Sequence, residues 1–462
     1  MKLTYNVEDK PGIGKVLVCA LQQLLAILAA TIAVPAITGN GMSQSAALFG
    51  AGVGTLVYVL FTKRKSPVFL GSSFAFLPSL AAAFAGGVSA SLGFFGLIIG
   101  ALFAGLVYVI LAIIVKFAGV NWVNKIMPVV VIGPTVAIIG LSLAGNAIGD
   151  LMKNGAAEVT YPNAYVNIVI GLLTLFVTML CSVYGKKMAK MIPFIIGIGA
   201  GYIVAVILTL IGNASGAEAF QLIDFSKFEN MQWVPDFAFI KAFSGDFVYG
   251  EAANMGSYIL TIIVGYAPVA FVVFAEHIAD HKNLSSIIEK DLLKEPGLHR
   301  TLLGDGVGSM AGAFFGGCPN TTYGESIGCV AISGNASVVT IIATALLAIV
   351  ASFFAPFVTL LATIPSCVMG GVCVALYGFI AVSGLKMVQK VDLEDNRNLF
   401  VVSIILISGI GGFFLQFGAV KILTPACSLI LGIITCQMLG TNKNSTNSDN
   451  ENKSVKETKK KK

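Results

Sequence analysis

Long apolar runs alternate with short polar stretches along most of this 462-residue chain. A helix needs about 20 apolar residues to cross a bilayer. The runs that approach or reach this length predict membrane helices over residues 16–37, 46–61, 92–115, 126–143, 166–183, 192–211, 259–275, 338–361, 367–382, 399–417 and 423–439.

Three further segments are apolar but are interrupted by Gly, Ser, Thr or Pro: residues 68–85, 302–317 and 319–333. Counting them gives fourteen crossings. Loops rich in Lys and Arg then alternate with poor ones, as the positive-inside rule requires, only if all three segments cross. Residues 63–65 are all Lys or Arg, for example, whereas residues 39–45 contain neither. The even number of crossings predicts that both termini are cytoplasmic.

The composition agrees with a polytopic membrane protein. Hydrophobic residues make up 56% of the chain and charged residues 11%, whereas soluble domains average about 25% charged residues. The polar N-terminus, residues 1–15, lacks the pattern of a cleaved signal peptide. The Asn- and Lys-rich tail, residues 441–462, is predicted to be a disordered cytoplasmic segment. The eight cysteines form no Cys-x-x-Cys pair, which predicts reduced thiols.

Two acidic residues stand out against this apolar background. Glu276 ends the apolar run 260–275, and Glu325 lies within the weakly polar segment 318–334. Carboxylates at membrane depth are costly and usually face a cavity or a partner. Together, Glu276 and Glu325 predict one shared polar site.

Two short motifs suggest an internal repeat. Residues 71–74 (Gly-Ser-Ser-Phe) and 320–323 (Asn-Thr-Thr-Tyr) each contain a small or polar residue, two hydroxyl residues and an aromatic. They lie in the third and tenth predicted crossings, which are equivalent places in two halves of seven spans. An odd number of spans inverts the second half relative to the first, and paired interrupted segments point to a transporter binding site. Their free backbone N–H groups and the two acids suit a small, flat ring with N–H and C=O groups.

The histidine pair and the glycine-rich runs of the sequence do not predict a bound metal or nucleotide. His277 and His281 have the spacing of a helical metal pair, but no further ligand cluster appears. We interpret them as polar groups at the cytoplasmic end of a helix that leaves the membrane. The glycine-rich runs 50–54, 197–201 and 304–312 favour close helix packing over nucleotide binding. The chain has no ATP-binding domain and no nucleophile–base pair, which argues against a self-contained ATP-driven pump and against an enzyme.

Asp305 has two interpretations at this stage. It lies near the start of the ninth predicted span, in the sequence Gly-Asp-Gly. It is either a helix-start residue near the membrane interface or a polar member of the site network.

Specific motifs carry a family resemblance. Residues 274–277 (Phe-Ala-Glu-His), 291–300, 319–328 and 70–76 resemble the nucleobase/ascorbate transporter family, in particular the bacterial uracil permeases. The similarity extends from about the first span to the last. It implies an all-α membrane protein of fourteen segments in two inverted seven-span repeats, with short strands in spans 3 and 10.

The resemblance also implies a division into domains. The core domain would comprise spans 1–4 in residues 16–118 and spans 8–11 in residues 251–362. The gate domain would comprise spans 5–7 in residues 119–250 and spans 12–14 in residues 363–440. A homodimer through the gate domains is expected.

The family's functional residues map onto this chain as expectations. Glu276 and Glu325 would accept hydrogen bonds from the ring nitrogens of uracil, and backbone N–H groups around Tyr323 and Gly324 would donate to a ring carbonyl. Phe74 would line the pocket. Ala30 is expected nearby, and the residues of a possible polar network are Asp305, Ser72, Ser73 and Thr322.

The chain departs from the family at two of these places. Ser326 stands where the family usually has Asn, which bears on helix packing or specificity. Asp280, one turn after Glu276, stands where one bacterial member has His. Asp280 and Glu276 are therefore both candidates for proton coupling, and the sequence leaves open which of them carries the proton.

The expected function is proton-coupled symport of uracil across the bacterial plasma membrane, by an elevator-like movement of core against gate. The proton is the coupling ion and no cofactor is expected. The expected partners are uracil and the lipid bilayer, without nucleic acid. Glutamate at position 325 favours uracil, since the purine branch often has glutamine there. The alternatives are a symporter of a purine base such as xanthine or guanine, a facilitative channel, and a membrane enzyme or scaffold.

Overall fold

The computed structural model describes residues 3–119, 121–154, 157–158, 164–186, 188–229, 231–417 and 420–440. The tail 441–462, for which the sequence predicts disorder, lies outside these residues. The α-helices of the described part are α1 (Ile13–Thr38), α2 (Gln44–Phe61), α3 (Leu77–Ala83), α4 (Ala90–Ala118), α5 (Asn121–Ile126), α6 (Val129–Ser142), α7 (Ala144–Asp150), α8 (Ala164–Tyr184), α9 (Met188–Met191), α10 (Pro193–Ser215), α11 (Ala238–Phe243), α12 (Met255–Ile288), α13 (Leu298–Gly316), α14 (Gly324–Ser333), α15 (Val338–Ser352), α16 (Ala355–Ala362), α17 (Ser366–Val388), α18 (Asn396–Ile410) and α19 (Thr424–Leu439).

Short strands interrupt the helical chain. They are β1 (Leu70–Ser72), β2 (Lys153–Asn154), β3 (Ala157–Glu158), β4 (Asn320–Thr322), β5 (Leu415–Phe417) and β6 (Val420–Ile422). Within the described ranges they form three sheets of two antiparallel strands each: β2 pairs with β3 and β5 with β6, which are neighbours in the chain, whereas β1 pairs with β4. The β1–β4 sheet therefore joins the first half of the chain to the second.

Several helices have the length and composition of membrane spans. Within the described residues, eight qualify: α1, α2, α4, Val129–Asp150 (α6 with α7), α8, α10, α12 and α17. The pair α15 and α16 makes a ninth if it is counted as one broken span. Shorter apolar helices cover Phe74–Ala83, α18 and α19. The helix α13 has 19 residues but is too polar to count with these spans. The chain is thus a mostly helical, multi-pass membrane protein.

The membrane helix predicted over residues 338–361 is divided into two helices in the structure. The axes of α15 and α16 differ by 82°, with the break at residues 353 and 354. Phe354 has extended backbone angles and Pro356 lies in the first turn of α16. Because proline lacks the N–H that a continuing helix would use and clashes with the preceding turn, it fits a new helix start better than a helix interior.

The pairing of β1 with β4 lies in the protein interior. Leu70 faces Thr322, and every residue of both strands is buried. Two further backbone bonds extend the pair: Ser73 N–H donates to the Pro319 carbonyl at 2.9 Å, and Tyr323 N–H donates to the Phe69 carbonyl at 3.1 Å. A helical segment follows each strand, a 3₁₀ turn and α3 after β1 and α14 after β4. The non-helical backbone at this depth is therefore hydrogen-bonded within protein, as membrane burial requires.

Glycines bring α2 and α13 close enough to hold this crossing. A Cβ added at Gly54 would lie 2.7 Å from the carbonyl oxygen of Gly308, and one added at Gly308 would lie 2.7 Å from the carbonyl oxygen of Gly54. Asn320 of β4 reaches the same seam and donates to the Gly50 carbonyl at 3.0 Å. The interpretation of the runs 50–54 and 304–312 as helix-packing glycines is confirmed.

The N-terminal segment packs against the turn between α14 and α15. Thr4 N–H donates to the Gly334 carbonyl at 2.8 Å, and Val338 N–H donates to the Val7 carbonyl at 3.1 Å. Tyr5 forms a parallel bridge with Asn335, and Val7 is buried. The first described residues of the chain are thus tied to the end of the helix that follows β4.

Gly308→Ala is expected to destabilise the protein, because the added methyl group would overlap the Gly54 carbonyl and lie 2.8 Å from Leu70 Cδ1 of β1. Overpacking of this kind costs about 1–3 kcal/mol of folding free energy. The measurement is the thermal midpoint of the detergent-solubilised protein. Gly199→Ala is the matched control, since a Cβ there meets no atom within 4 Å. Equal midpoints for both variants would contradict close packing of α2 on α13.

Candidate functional site

A cavity of about 330 Å³ lies beside the β1–β4 crossing. We divide its lining into two walls, one made by residues of α1, α12, α14, β4 and the segment after β1, and the other by residues of α6, α8, α9, α10 and α17. Phe74, Phe194 and Phe379 give the cavity aromatic surfaces on both walls, and Phe74 packs edge-on against Tyr377 with ring centroids 5.3 Å apart. Its size and mixed lining fit a small polar molecule.

Three carboxyl groups face this cavity from one wall. Glu276 and Asp280 lie one turn apart on α12, and Glu325 lies in the first turn of α14. All three side chains are partly exposed to the cavity. Thr322 Oγ1 donates to Asp280 Oδ2 at 2.8 Å, which ties α12 to β4. The structure gives the Glu276 carboxyl no hydrogen bond from any described residue, so this group is available to a ligand.

The N-terminus of α14 also points at the cavity. Its N-cap, Tyr323, has extended backbone angles and makes no side-chain capping bond. The first N–H groups of a helix have no partner within it, and they form a donor site for an electronegative group. Tyr323 is held in place because its hydroxyl donates to the Ser72 carbonyl at 2.9 Å. Gly71 leaves room for that ring, since a Cβ there would lie 2.7 Å from the tyrosine hydroxyl oxygen.

Most of the residues predicted for the site come together here. The predicted residues that line the cavity are Ser73, Phe74, Glu276, Asp280, Thr322, Tyr323, Gly324 and Glu325. Ala30 is completely buried and does not line it, whereas Ala26, one turn earlier on α1, does. Ser72 contributes its backbone carbonyl to Tyr323, and its own hydroxyl is buried behind the cavity wall.

Asp305 is not a helix-start residue, and that interpretation is wrong. Because α13 begins at Leu298, Asp305 lies two turns inside the helix and is 1% exposed. Its Oδ2 lies 2.6 Å from His277 Nδ1. It therefore belongs to a polar network with His277 and does not line the cavity.

His277 and His281 are buried as well, so their predicted place at a solvated helix end is wrong. His277 contacts Thr301 Oγ1 through Nε2 at 3.0 Å, and His281 contacts the His277 carbonyl through Nδ1 at 2.8 Å. The Tyr58 hydroxyl contacts His281 Nε2 at 2.8 Å. Since each ring nitrogen has a polar neighbour, both imidazoles can be buried.

The hydrogen-bond pattern fixes the charge of the His277–Asp305 pair. Thr301 donates its hydroxyl hydrogen to the Leu298 carbonyl, so His277 Nε2 must donate to Thr301. One hydrogen is then required between His277 Nδ1 and Asp305 Oδ2, whichever atom carries it. In both forms the pair has no net charge. Asp305 therefore differs from the cavity acids, which have no cation in hydrogen-bond contact among the described residues.

Ser326 joins three elements behind the site. Its hydroxyl oxygen accepts from Gln23 Nε2 of α1 at 2.5 Å and from Phe69 N–H, just before β1, at 3.0 Å. Gln23 also donates to the Ser326 carbonyl at 3.2 Å. Serine at this position, the departure from the family pattern, thus connects α1 and the approach to β1 with the helix that carries Glu325.

Sequence reasoning missed several lining residues. Asn283 follows Glu276 by seven residues on α12 and lines the same cavity. Its spacing, on the face shared by Glu276 and Asp280, is a signal that could have found it. The opposite wall includes Ser182, Lys190 and Ser383. These come from separate helices, and no local motif connects them with the acids.

Comparisons with known proteins agree on a membrane transporter. The family model that matches is the permease family, over residues 14–417. The uracil permease of Bacillus caldolyticus is 38% identical over 439 residues, covering 94% of each chain. The uracil permease of Escherichia coli K12 is 34% identical over 430 residues, covering 93% of this chain and 92% of the relative.

Solved structures show the same fold at low sequence identity. The transmembrane domain of a cyanobacterial bicarbonate transporter, BicA, aligns with a TM-score of 0.63 at 16% identity, covering 91% of this chain and 96% of that one. Murine Slc26a9, an anion transporter in the inward-facing state, aligns with a TM-score of 0.62 at 14% identity, covering 94% of this chain and 69% of the other. These alignments concern the fold alone.

Ser326→Ala is expected to lower the thermal midpoint. It removes the acceptor of a buried backbone N–H and of the Gln23 amide, and each unsatisfied buried donor costs about 1–3 kcal/mol. The midpoint is measured in detergent beside Ser286→Ala, which changes an exposed serine on α12. If the two variants melt together with the unchanged protein, the Ser326 hydroxyl does not hold α1 and β1 to α14.

Proposed function

Because the chain belongs to the permease family, we propose that it is a transporter that carries uracil across the plasma membrane by symport with protons. Permeases are transporters rather than enzymes. The observation that carries the proposal is the arrangement of Glu276 and Glu325 around one cavity that the N-terminus of α14 also faces. Uracil has ring N–H groups and ring carbonyls, and this cavity offers acceptors and donors of matching kind. The relatives named as uracil permeases support this choice of base.

In the proposed complex the two glutamates accept hydrogen bonds from the ring nitrogens. Hydrogen bonds to a carboxylate are charge-assisted and stronger than neutral ones. The N–H groups of Gly324 and its neighbours donate to a ring carbonyl. Phe74 packs on the ring from the side of β1. Ser73 and Thr322 complete the polar rim, and Tyr323 fixes the start of α14.

In the proposed transport cycle, the proton binds to a carboxylate on α12. A carboxylate without a counter-charge is costly at membrane depth, and a bound proton removes that cost. Glu276 is the proposed carrier because no described residue holds its carboxyl by a hydrogen bond. Asp280, which Thr322 fixes four residues away, is the proposed relay toward the exit. The proton and uracil bind together on one side of the membrane and leave together on the other.

The proposed movement is that of an elevator. The core comprises residues 16–118 and 251–362, the gate comprises residues 119–250 and 363–440, and the chain forms fourteen segments in two inverted repeats. The support is the position of the cavity, which has one wall in each of these parts.

In the complete assembly two copies associate through their gates, both termini are cytoplasmic, and the membrane is a bacterial plasma membrane.

Labelled uracil uptake into proteoliposomes tests the function. An inward acid gradient is expected to drive accumulation above the equilibrium level, because each uracil enters with a proton. Collapse of the gradient with a protonophore should return uptake to equilibration. Uptake that does not depend on the acid gradient would exclude proton coupling. Stronger competition by xanthine or guanine than by unlabelled uracil would remove the choice of uracil.

Glu325→Gln is expected to weaken uracil binding by about ten- to a hundredfold, the usual contribution of a hydrogen bond to a charged group. Calorimetry with uracil on purified protein measures this change directly. Glu394→Gln serves as the control, because Glu394 is an exposed residue far from the cavity lining. Wild-type affinity in Glu325→Gln would exclude Glu325 from the ring contact.

A further inference from the structure

The cavity has an uneven distribution of charge. Its carboxyl groups all lie on one wall: Glu276 and Asp280 on α12 and Glu325 on α14. Among the described residues of the lining, Lys190 alone carries a positive charge. It belongs to α9, on the opposite wall. With every acid ionised, three negative charges would face one positive charge across the cavity.

The helix that carries Lys190 also contacts helices of the wall that holds the acids. The short helix α9 contacts both α1 and α14, the latter being the helix that carries Glu325. Gln22 Nε2 of α1 donates to the sulfur atom of Met188 at 2.7 Å. The Lys190 side chain is exposed and lines the cavity, and it takes part in none of the ion pairs among the described residues. No ion pair within the described part of the chain therefore fixes the position of its ammonium group.

A symporter must also return without its cargo. After the proton and uracil have left, an ionised carboxylate remains in a site surrounded by protein and lipid, where an unpaired charge is costly. A partner cation with good geometry offsets much of that cost. We propose that Lys190 is the counter-ion of the empty transporter. Its ammonium group pairs with the ionised Glu276 and Glu325 when the proton and uracil leave, which keeps the empty site from taking the proton back. The ion pair forms before the core moves back along the gate and breaks during that movement.

This inference rests on the proposed function but separates two halves of the cycle. Net uptake requires the transporter to move inward with proton and uracil bound and to return with the site empty. Exchange of labelled for unlabelled uracil requires the loaded movement alone. A residue that serves only the empty return therefore affects net uptake and leaves exchange unchanged, whereas a residue that contacts uracil affects both.

The test compares Lys190→Gln with the unchanged protein in proteoliposomes. Acid-driven net uptake is expected to fall by about tenfold, as for loss of one partner of a partly buried charge pair. Exchange against internal unlabelled uracil is expected to stay within about twofold, since the loaded site already holds its proton. Lys190→Arg should restore net uptake because it keeps the charge.

Lys186→Gln is the matched control. It removes an exposed lysine that lies just before α9 and does not line the cavity. The rates of net uptake and of exchange should both stay unchanged. Equal loss of uptake and exchange in Lys190→Gln would overturn the proposal, as would no loss in either mode or failure of Lys190→Arg to restore uptake. Absence of uracil exchange in the unchanged protein would instead overturn the proposed function.

Discussion

The antiparallel pairing of β1 with β4 is the constraint on which the rest of this structure depends. Two segments leave the helical conformation inside a membrane protein, where a free backbone polar group has no water to bind. Each segment supplies the other with hydrogen-bond partners, from Ser73 with Pro319 to Tyr323 with Phe69. Because of this exchange, α14 begins in the protein interior with its first N–H groups turned toward a cavity. The packing of glycines along α2 and α13 then fixes where the crossing lies.

Two kinds of buried acid follow from this arrangement. Asp305 shares a proton with His277 and forms a neutral pair that connects α12 with α13. Glu276, the residue next to His277 in the chain, faces the cavity and has no such partner among the described residues. One helix thus presents a satisfied polar face to the packing behind it and an unsatisfied one to the ligand space. In the proposed proton coupling, that asymmetry lets α12 keep its position while Glu276 gains or loses a proton.

The sequence identified the cavity acids because a charge in an apolar run is conspicuous, and it identified Phe74 and Tyr323 because their motifs recur. It left Asp305 between two interpretations because the start of α13 depends on the chain path before Leu298, which hydropathy does not report. The histidines were misjudged for a similar reason. Their burial depends on Thr301 and Tyr58, which lie far from them in the chain. The lining on α9 is likewise a product of tertiary packing. The break after α15, in contrast, has a local signal in Pro356, which hydropathy alone does not take into account.

The tie between the N-terminal segment and the turn after α14 has a consequence for biosynthesis. Tyr5 is made at the start of translation, but its partner Asn335 emerges only when more than two thirds of the chain has been synthesised. The same delay applies to β1, whose partner is β4. The first half therefore enters the bilayer with an open strand edge and a loose leading segment. Both remain without their native hydrogen-bond partners until the second half has been synthesised.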